Sequence, residues 1–351
     1  MREYLYRSLR NELRQRLPEA NKSQVGNLAL LTQALVFSDN CHLSHLALQL
    51  PIDGQRESLV QRLVRFLDNS HVAQRVHYRP LAKDLLAHWP DQEINLVMDR
   101  TDIEDQKSIL LLAAAFKHRT LPLVWRVLPF GGTGEACQVA LLKEVHSYLP
   151  DGKRVMFLGD SEFRAVGLQR YCREQHWGWQ IGVKSDTLFQ HGDSAWQPLS
   201  SLSIEQGQRR YLHNITLTRS EAFPSVHLIV DWTYDGDTPR HVVCDQPTNG
   251  FSWRRGRKRF WIEPTFRDWK SYGFDLETSH ITNDHRLDRL ILAMSVATLW
   301  LILLGDWVVD THRARWLVAP HRRDYSLFHL GRDYAQRSQI RGWELPIRFH
   351  R

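Results

Sequence analysis

The sequence predicts an α/β fold: a core built on a mixed sheet, a helical domain ahead of it and a β-rich insertion within it. Three observations predict it. Residues 1–88 carry apolar side chains at helical spacing. Residues 93–184 read as strands and helices in the order β-β-β-α-β-α-β, and 187–255 alternates polar with apolar as antiparallel strands do.

In the first region, Leu59, Leu63, Phe66 and Leu67 share one helical face, as do Leu81, Leu85 and Trp89. Residues 24–37 form another helix, and Pro80 suits the first turn of the helix that carries Leu81. This module is read as a DNA reader, although it shows no helix-turn-helix signature.

Strands are predicted at 93–99, 109–116 and 121–128. The loop Gly131-Gly132-Thr133-Gly134 follows, too far from a strand–helix junction to be a phosphate loop. A helix over 136–148, a strand over 154–160, a helix over 162–175 and a strand over 177–184 complete the alternation. The insertion holds strands at 211–218, 225–234 and 240–245, divided by Asp235-Gly236-Asp237 and closed by Gln246-Pro247-Thr248-Asn249-Gly250. Helices return at 262–276 and 284–304, with a short one near 326–336. Leu290 to Leu304 is the most apolar run, but it is short for a bilayer and contains Ser295 and Thr298, so it reads as a buried core helix. The expected division is 1–88 helical, 89–186 and 256–308 catalytic core, 187–255 insertion, and 309–351 a basic C-terminal segment.

Composition is that of a globular chain, with 42% hydrophobic and 24% charged residues among 351. The net charge is +7, and it is concentrated. Residues 311–351 hold nine Arg against three acids, and 251–270 hold seven Lys or Arg against Glu263 and Asp268, so the rest is slightly acidic. Two basic segments of this kind fit a nucleic-acid footprint; a solvated surface and tail is the plainer alternative. Met1-Arg2-Glu3 opens a charged stretch, not a signal sequence, and Cys41, Cys137, Cys172 and Cys244 form no C-x-x-C pair. A reducing cytoplasm and no membrane are therefore expected. Cys41-His42-x-x-His45 lacks a second ligand pair and reads as structural.

Three acids stand out by context. Asp99 closes the run Ile94-Asn95-Leu96-Val97-Met98, and Asp160 closes Val155-Met156-Phe157-Leu158-Gly159. Glu263 follows Arg257-Lys258-Arg259-Phe260-Trp261-Ile262, with Lys270 seven residues later. Taken singly, each Asp reads equally well as a turn or N-cap residue, and Glu263 as a surface carboxylate paired with its cations. Together they form a set that can hold Mg²⁺, which prefers hard oxygen ligands, and two such ions can drive phosphodiester cleavage. Asp102, Glu162 and Asp268 are neighbours that could be mistaken for members. Pro264 is tolerated only in a first helical turn, so the helix is predicted to start at Ile262 or Glu263, with Arg259 approaching from the segment before it. No G-x-S-x-G is present, and His280 and His285 lack a zincin spacing.

Asp99, Asp160 and Glu263 resemble the DDE triad of bacterial insertion-sequence transposases. Arg259-x3-Glu263-x6-Lys270 resembles the second half of the Y-x2-R-x3-E-x6-K signature of a cut-and-paste group. The resemblance covers roughly 90–305, the long β-rich stretch between Asp160 and Glu263 included. It implies an RNase H-like core, and a dimer holding paired DNA ends in the cytoplasm of a prokaryote, at the nucleoid. The implied ions are two Mg²⁺, with Mn²⁺ able to substitute, on Asp99, Asp160 and Glu263. The implied partners are terminal inverted repeats and target DNA. By the same resemblance Arg259 and Lys270 bind phosphates beside the scissile bond, with Arg254, Arg255, Arg257 and Lys258 extending the groove. Lys184 is a further phosphate contact or a solvated strand-end lysine. Trp253 or Trp261 offers an aromatic face for a flipped base, with Trp261 the better core residue. The chain departs from the signature at its tyrosine, where Gly256 stands. A metal-dependent nuclease of the same fold and a non-catalytic DNA-binding relative are the alternatives.

Overall fold

The computed structural model describes residues 2–234, 236–319 and 325–350. Asp235 of the predicted insertion turn, and Arg322, Arg323 and Arg351 of the basic tail, lie outside the described residues.

The core sheet begins with an antiparallel meander: β1 (Glu93–Ile103), β2 (Lys107–Phe116) and β3 (Arg119–Pro129). Helix α7 (Glu135–His146), strand β4 (Arg154–Gly159), helix α8 (Val166–Glu174) and strand β5 (Gly178–Val183) follow, β4 lying parallel to both β1 and β5. The resulting order β3-β2-β1-β4-β5, with only β2 running against its neighbours within β3-β2-β1, is the RNase H-like arrangement. β2 is buried from Ser108 to Phe116, which is why it reads as a continuous apolar run and not an alternating one.

The region after β5 is β-rich, as its alternation predicts, and it extends the core sheet. Its strands are β6 (Leu188–His191), β7 (Gln197–Pro198), β8 (Arg209–Leu217), β9 (Phe223–Asp231) and β10 (Arg240–Cys244). β10 pairs antiparallel with β5, Val243 opposite Ile181, and the sheet continues β10-β9-β8-β6-β7. Sequence reading misses β6 and β7, which are too short for alternation to register.

Six helices precede the sheet: α1 (Arg2–Arg16), α2 (Lys22–Phe37), α3 (Leu43–Gln49), α4 (Arg56–Asp68), α5 (Gln74–His77) and α6 (Arg79–Ala87). Asn21 caps α2, its Oδ1 accepting from Ser23 N at 2.9 Å. α2 is buried from Leu28 to Phe37, as befits a helix surrounded by protein. What surrounds it includes α11 (Asp284–Asp310) and α12 (Leu327–Arg341), so these helices share one hydrophobic core with the sheet.

α11 is long and apolar enough to cross a membrane, but 94% of its most apolar window is buried inside the protein. It is the core helix its composition predicts. Its polar start fastens the N-terminal helices. Asp288 Oδ1 accepts from Gln74 Nε2 at 2.7 Å and Trp125 Nε1 at 2.8 Å, and Arg289 Nη1 donates to Leu67 O at 2.7 Å. α11 and α12 pack through glycines. A Cβ on Gly331 would run into the Leu301 carbonyl, and one on Gly305 into that of Leu327.

Candidate active site

The parallel register of β1 and β4 sets the site. Val97 pairs with Leu158; two residues further on, the same register places Asp99 beside Asp160. Neighbouring parallel strands at one level present side chains to the same face. Asp99 does not end its strand, as the sequence suggests. β1 continues to Ile103 because β2 still pairs with it, Asp99 opposite Leu111, after its pairing with β4 has stopped. Asp99 thus sits where the sheet loses its parallel partner, and Asp160 sits just past the end of β4.

Glu263 comes from a segment of three helical turns of different pitch. Residues 257–261 are 3-10, α10 (Ile262–Arg267) is α, and 268–272 form a π turn. The start at Ile262 is the one Pro264 predicts. The preceding helix, α9 (Gly250–Gly256), is unexpected, since Asn249-Gly250 reads as a turn. Asn249 is in fact its cap, Oδ1 accepting from Phe251 N at 2.9 Å and Ser252 N at 3.0 Å.

Arg259 joins the acids. Its Nη1 lies 4.0 Å from Asp99 Oδ2 and its Nη2 3.5 Å from Glu263 Oε1. Burial pushes the Asp99 carboxyl up to about 7; Asp160 and Glu263 add to the rise, while the Arg100 N–H and Arg259 oppose it. Asp160 is also a cap, its Oδ1 accepting from Glu162 N at 2.8 Å, and it lines a cavity of about 850 Å³. The cap reading of Asp160 holds, and the same residue lines the cavity.

The three neighbouring acids are engaged elsewhere. Glu162 pairs with Arg100 at 3.0 Å and accepts from Thr133 Oγ1 at 2.7 Å, Asp102 pairs with Arg100 at 2.6 Å, and buried Asp268 pairs with Arg119 at 2.9 Å.

Hard oxygen donors, a carboxyl retaining its proton near neutrality, and one guanidinium between them fit a divalent cation: it would replace both the proton and Arg259. The three acids are not drawn tightly together around Arg259. Among the described residues, the one acidic-histidine trio whose ligand atoms close within 4.8 Å is Asp84, His88 and His350. There Arg16 Nε already lies 3.3 Å from Asp84, and the group fastens the C-terminal segment to α6.

The basic residues divide. Lys184 and Arg257 are exposed and line the Asp160 cavity together with Arg259. Arg254 is exposed, and Arg255 pairs with Glu93 at 3.7 Å. Lys258 lies over Trp261, 5.8 Å from its ring. Lys270 is engaged within the fold: its Nζ donates to Asp102 O at 2.7 Å and pairs with Glu277 at 3.1 Å, tying the π turn to the end of β1. The change of helical pitch after Arg267 turns it away from the common face that a regular helix would give it.

Of the two tryptophans, Trp253 is the more buried, the reverse of the sequence expectation. Trp253 is 9% exposed, packs on Ile229 and Cys244, and is covered by Arg209, 4.7 Å from its ring centre. It is a wall of the cavity and not an open stacking face. Trp261 is half-buried beside His118, at 4.7 Å between ring centres, and lines a second cavity. Sequence reading passes over Phe260, which lines the first cavity with Arg259 at 4.3 Å and Arg240 at 5.4 Å from its ring. At Gly256 a Cβ would overlap Gln180 Oε1, so the side chain of Gln180 fills the direction in which the signature tyrosine would leave the chain.

No family model matches the chain, and no curated protein matches it. Among solved structures, a piggyBac transposase synaptic complex with hairpin DNA aligns over 90% of this chain and 70% of its own, at 9% identity and TM-score 0.44. Argonaute of Marinitoga piezophila with 5′-OH guide RNA and target DNA covers 62% of this chain and 33% of its own, at 9% identity and TM-score 0.25. The same protein with guide RNA alone covers 63% and 35%, at 10% identity and TM-score 0.25. At such scores these are distant likenesses of shape.

Proposed function

We propose that the chain is a DNA transposase that binds terminal inverted repeats, cleaves the DNA ends and joins the freed 3′-hydroxyl to target DNA. The observation that carries this reading is Asp99 set beside Asp160 by strand register, with Glu263 brought to them through Arg259. Two Mg²⁺ ions held by Asp99, Asp160 and Glu263 would activate the attacking oxygen and stabilise the leaving one.

The chain's own groups do the rest. Arg259, released from the acids, neutralises the phosphate beside the reacting one. Lys184, Arg240 and Arg257 line the same cavity and position the strand through its backbone without reading sequence. Asp160 is held by the Glu162 N–H, which fixes one oxygen and leaves the other for the site. A dimer presenting two such sites would hold two ends.

The test is incubation of the full chain with DNA carrying the inverted repeats that flank its coding region, in Mg²⁺. The reading expects nicking at the repeat ends, joining to a target duplex, and loss of both in Asp160→Asn with DNA binding kept. Cleavage without joining would make the protein a nuclease; cleavage that survives Asp160→Asn would remove the triad.

A further inference from the structure

We infer that Asp84, His88 and His350 form a binding site for one Zn²⁺ ion, which clasps the C-terminal segment to the N-terminal helices. One ligand atom of each lies within 4.8 Å of those of the other two. The Asp84 carboxylate faces both imidazoles: His350 Nδ1 is 2.9 Å from its Oδ2 and His88 Nδ1 3.3 Å from its Oδ1. The two rings stack at 4.2 Å between centres, with 22° between their planes, and turn their Nδ1 edges to the same carboxylate.

The fold holds these donors in place. Asp84 and His88 are four residues apart at the end of α6 and share one face of it. Leu85 and Leu86, between them, are buried and fix the helix end. His350 arrives from the far end of the chain on a segment that is itself packed. Phe349 is fully buried, and Trp300 Nε1 donates to Pro346 O at 3.0 Å. Donors set by buried neighbours are preorganised for an ion. Their side chains are between 28% and 51% exposed, which leaves an approach from solvent.

Arg16 does not close the site. Its Nε lies 3.3 Å from Asp84 Oδ2 without making a hydrogen bond. Its charge is met by Glu12 at 2.6 Å, and its guanidinium lies over Phe349, 5.9 Å from the ring centre. Two imidazoles and one carboxylate suit zinc, whereas Mg²⁺ prefers oxygen ligands and keeps its waters. The ion takes the place of the imidazole protons directed at Asp84, and it displaces the contact of His88 Nδ1 with Asp84 O at 2.9 Å. Three protein ligands and one water make up the four positions zinc favours. Because α6 and the C-terminal segment meet only in the folded chain, binding stabilises the docked segment by linkage.

The experiment is calorimetric titration of the EDTA-stripped full chain with Zn²⁺ in excess Mg²⁺, with melting followed in Zn²⁺ and in EDTA. Wild type is compared with His350→Ala, His88→Ala, His213→Ala and Asp160→Asn. One Zn²⁺ per chain is expected, bound about a hundredfold or more weakly by His350→Ala and His88→Ala. His213→Ala and Asp160→Asn should match wild type. Zn²⁺ at about a hundredfold over its Kd should raise the wild-type Tm by about 2–6 °C and leave that of His350→Ala unmoved. Wild type that takes up no stoichiometric Zn²⁺ overturns the site. So does binding that survives both histidine variants, or that is lost in His213→Ala or Asp160→Asn. A His350→Ala variant that lowers Tm equally in Zn²⁺ and in EDTA reduces the trio to a hydrogen-bonded link and also overturns it. None of these results bears on whether the chain cuts DNA.

Discussion

Asp99 and Asp160 stand side by side on parallel strands, at the level the Val97–Leu158 pairing sets two residues earlier. Burial favours the protonated Asp99 carboxyl, repulsion from Asp160 adds to this, and Arg259 at 4.0 Å opposes it. Such an arrangement is costly for the metal-free fold, and that cost is measurable.

The sign of the cost follows from the direction of the shift. Asp99 is raised from 3.8 to about 7. The folded protein therefore holds this proton more tightly than the unfolded chain. The stabilisation is complete below pH 4 and is lost as pH rises toward 7, the reverse of an ordinary salt-bridged aspartate. Asp99→Asn, which cannot ionise, should leave metal-free stability nearly unchanged at pH 4. At pH 8 it should raise stability by on the order of 2–4 kcal/mol. Denaturant melts in EDTA at the two pH values check this; equal effects at both would place the proton elsewhere.

Divalent-cation binding should displace the same proton. Apparent Mg²⁺ or Mn²⁺ affinity should rise about tenfold per pH unit below 7 and level off above it. Arg259 lowers the Asp99 value, so Arg259→Ala should move that break to higher pH. Calorimetric titration across pH 5.5–8.5 reads both, and a profile without a break near neutrality would contradict the assignment.

Glu162 tests the discrimination among acids. It holds Arg100 and Thr133, not the site. Glu162→Gln should cost about 1–3 kcal/mol of stability by weakening the Arg100 and Thr133 contacts, although Arg100 keeps Asp102, and change metal affinity by less than about tenfold. Glu263→Gln should do the opposite: little change in melting, since Glu263 is exposed, and more than about a hundredfold loss of cleavage. Melting and cleavage measured on both variants decide it.

Gly331→Ala should destabilise the whole fold. Its Cβ meets the Leu301 carbonyl in the neighbouring helix, which cannot move aside as a side chain can. A loss of about 1–3 kcal/mol or more is expected by urea melting, against the small gain that alanine gives in an open helix.

Much of this was legible in the sequence because burial writes itself as apolar runs. The strands around Asp99 and Asp160, the helix start at Ile262 and the pairing of Arg259 with Glu263 all follow from local pattern. What the sequence hides depends on partners distant in the chain. Asp99 looks like a strand end because its apolar run stops, yet β2 keeps the chain extended to Ile103. A regular helix would align Lys270 with Glu263, yet the turn after Arg267 widens to π and Lys270 reaches Asp102 and Glu277. Trp253 is closed off by Arg209, which only the fold brings over its ring. Asn249 did carry a local signal, that of an N-cap, which its glycine neighbour made look like a turn.

The most direct test of the central claim is the position of Mn²⁺ by anomalous diffraction in crystals of the protein with repeat-end DNA. The account predicts density bounded by the carboxylates of Asp99, Asp160 and Glu263, with the Arg259 guanidinium turned from the acids onto a phosphate. Density confined to Asp84, His88 and His350, or none between Asp99 and Asp160, would contradict it.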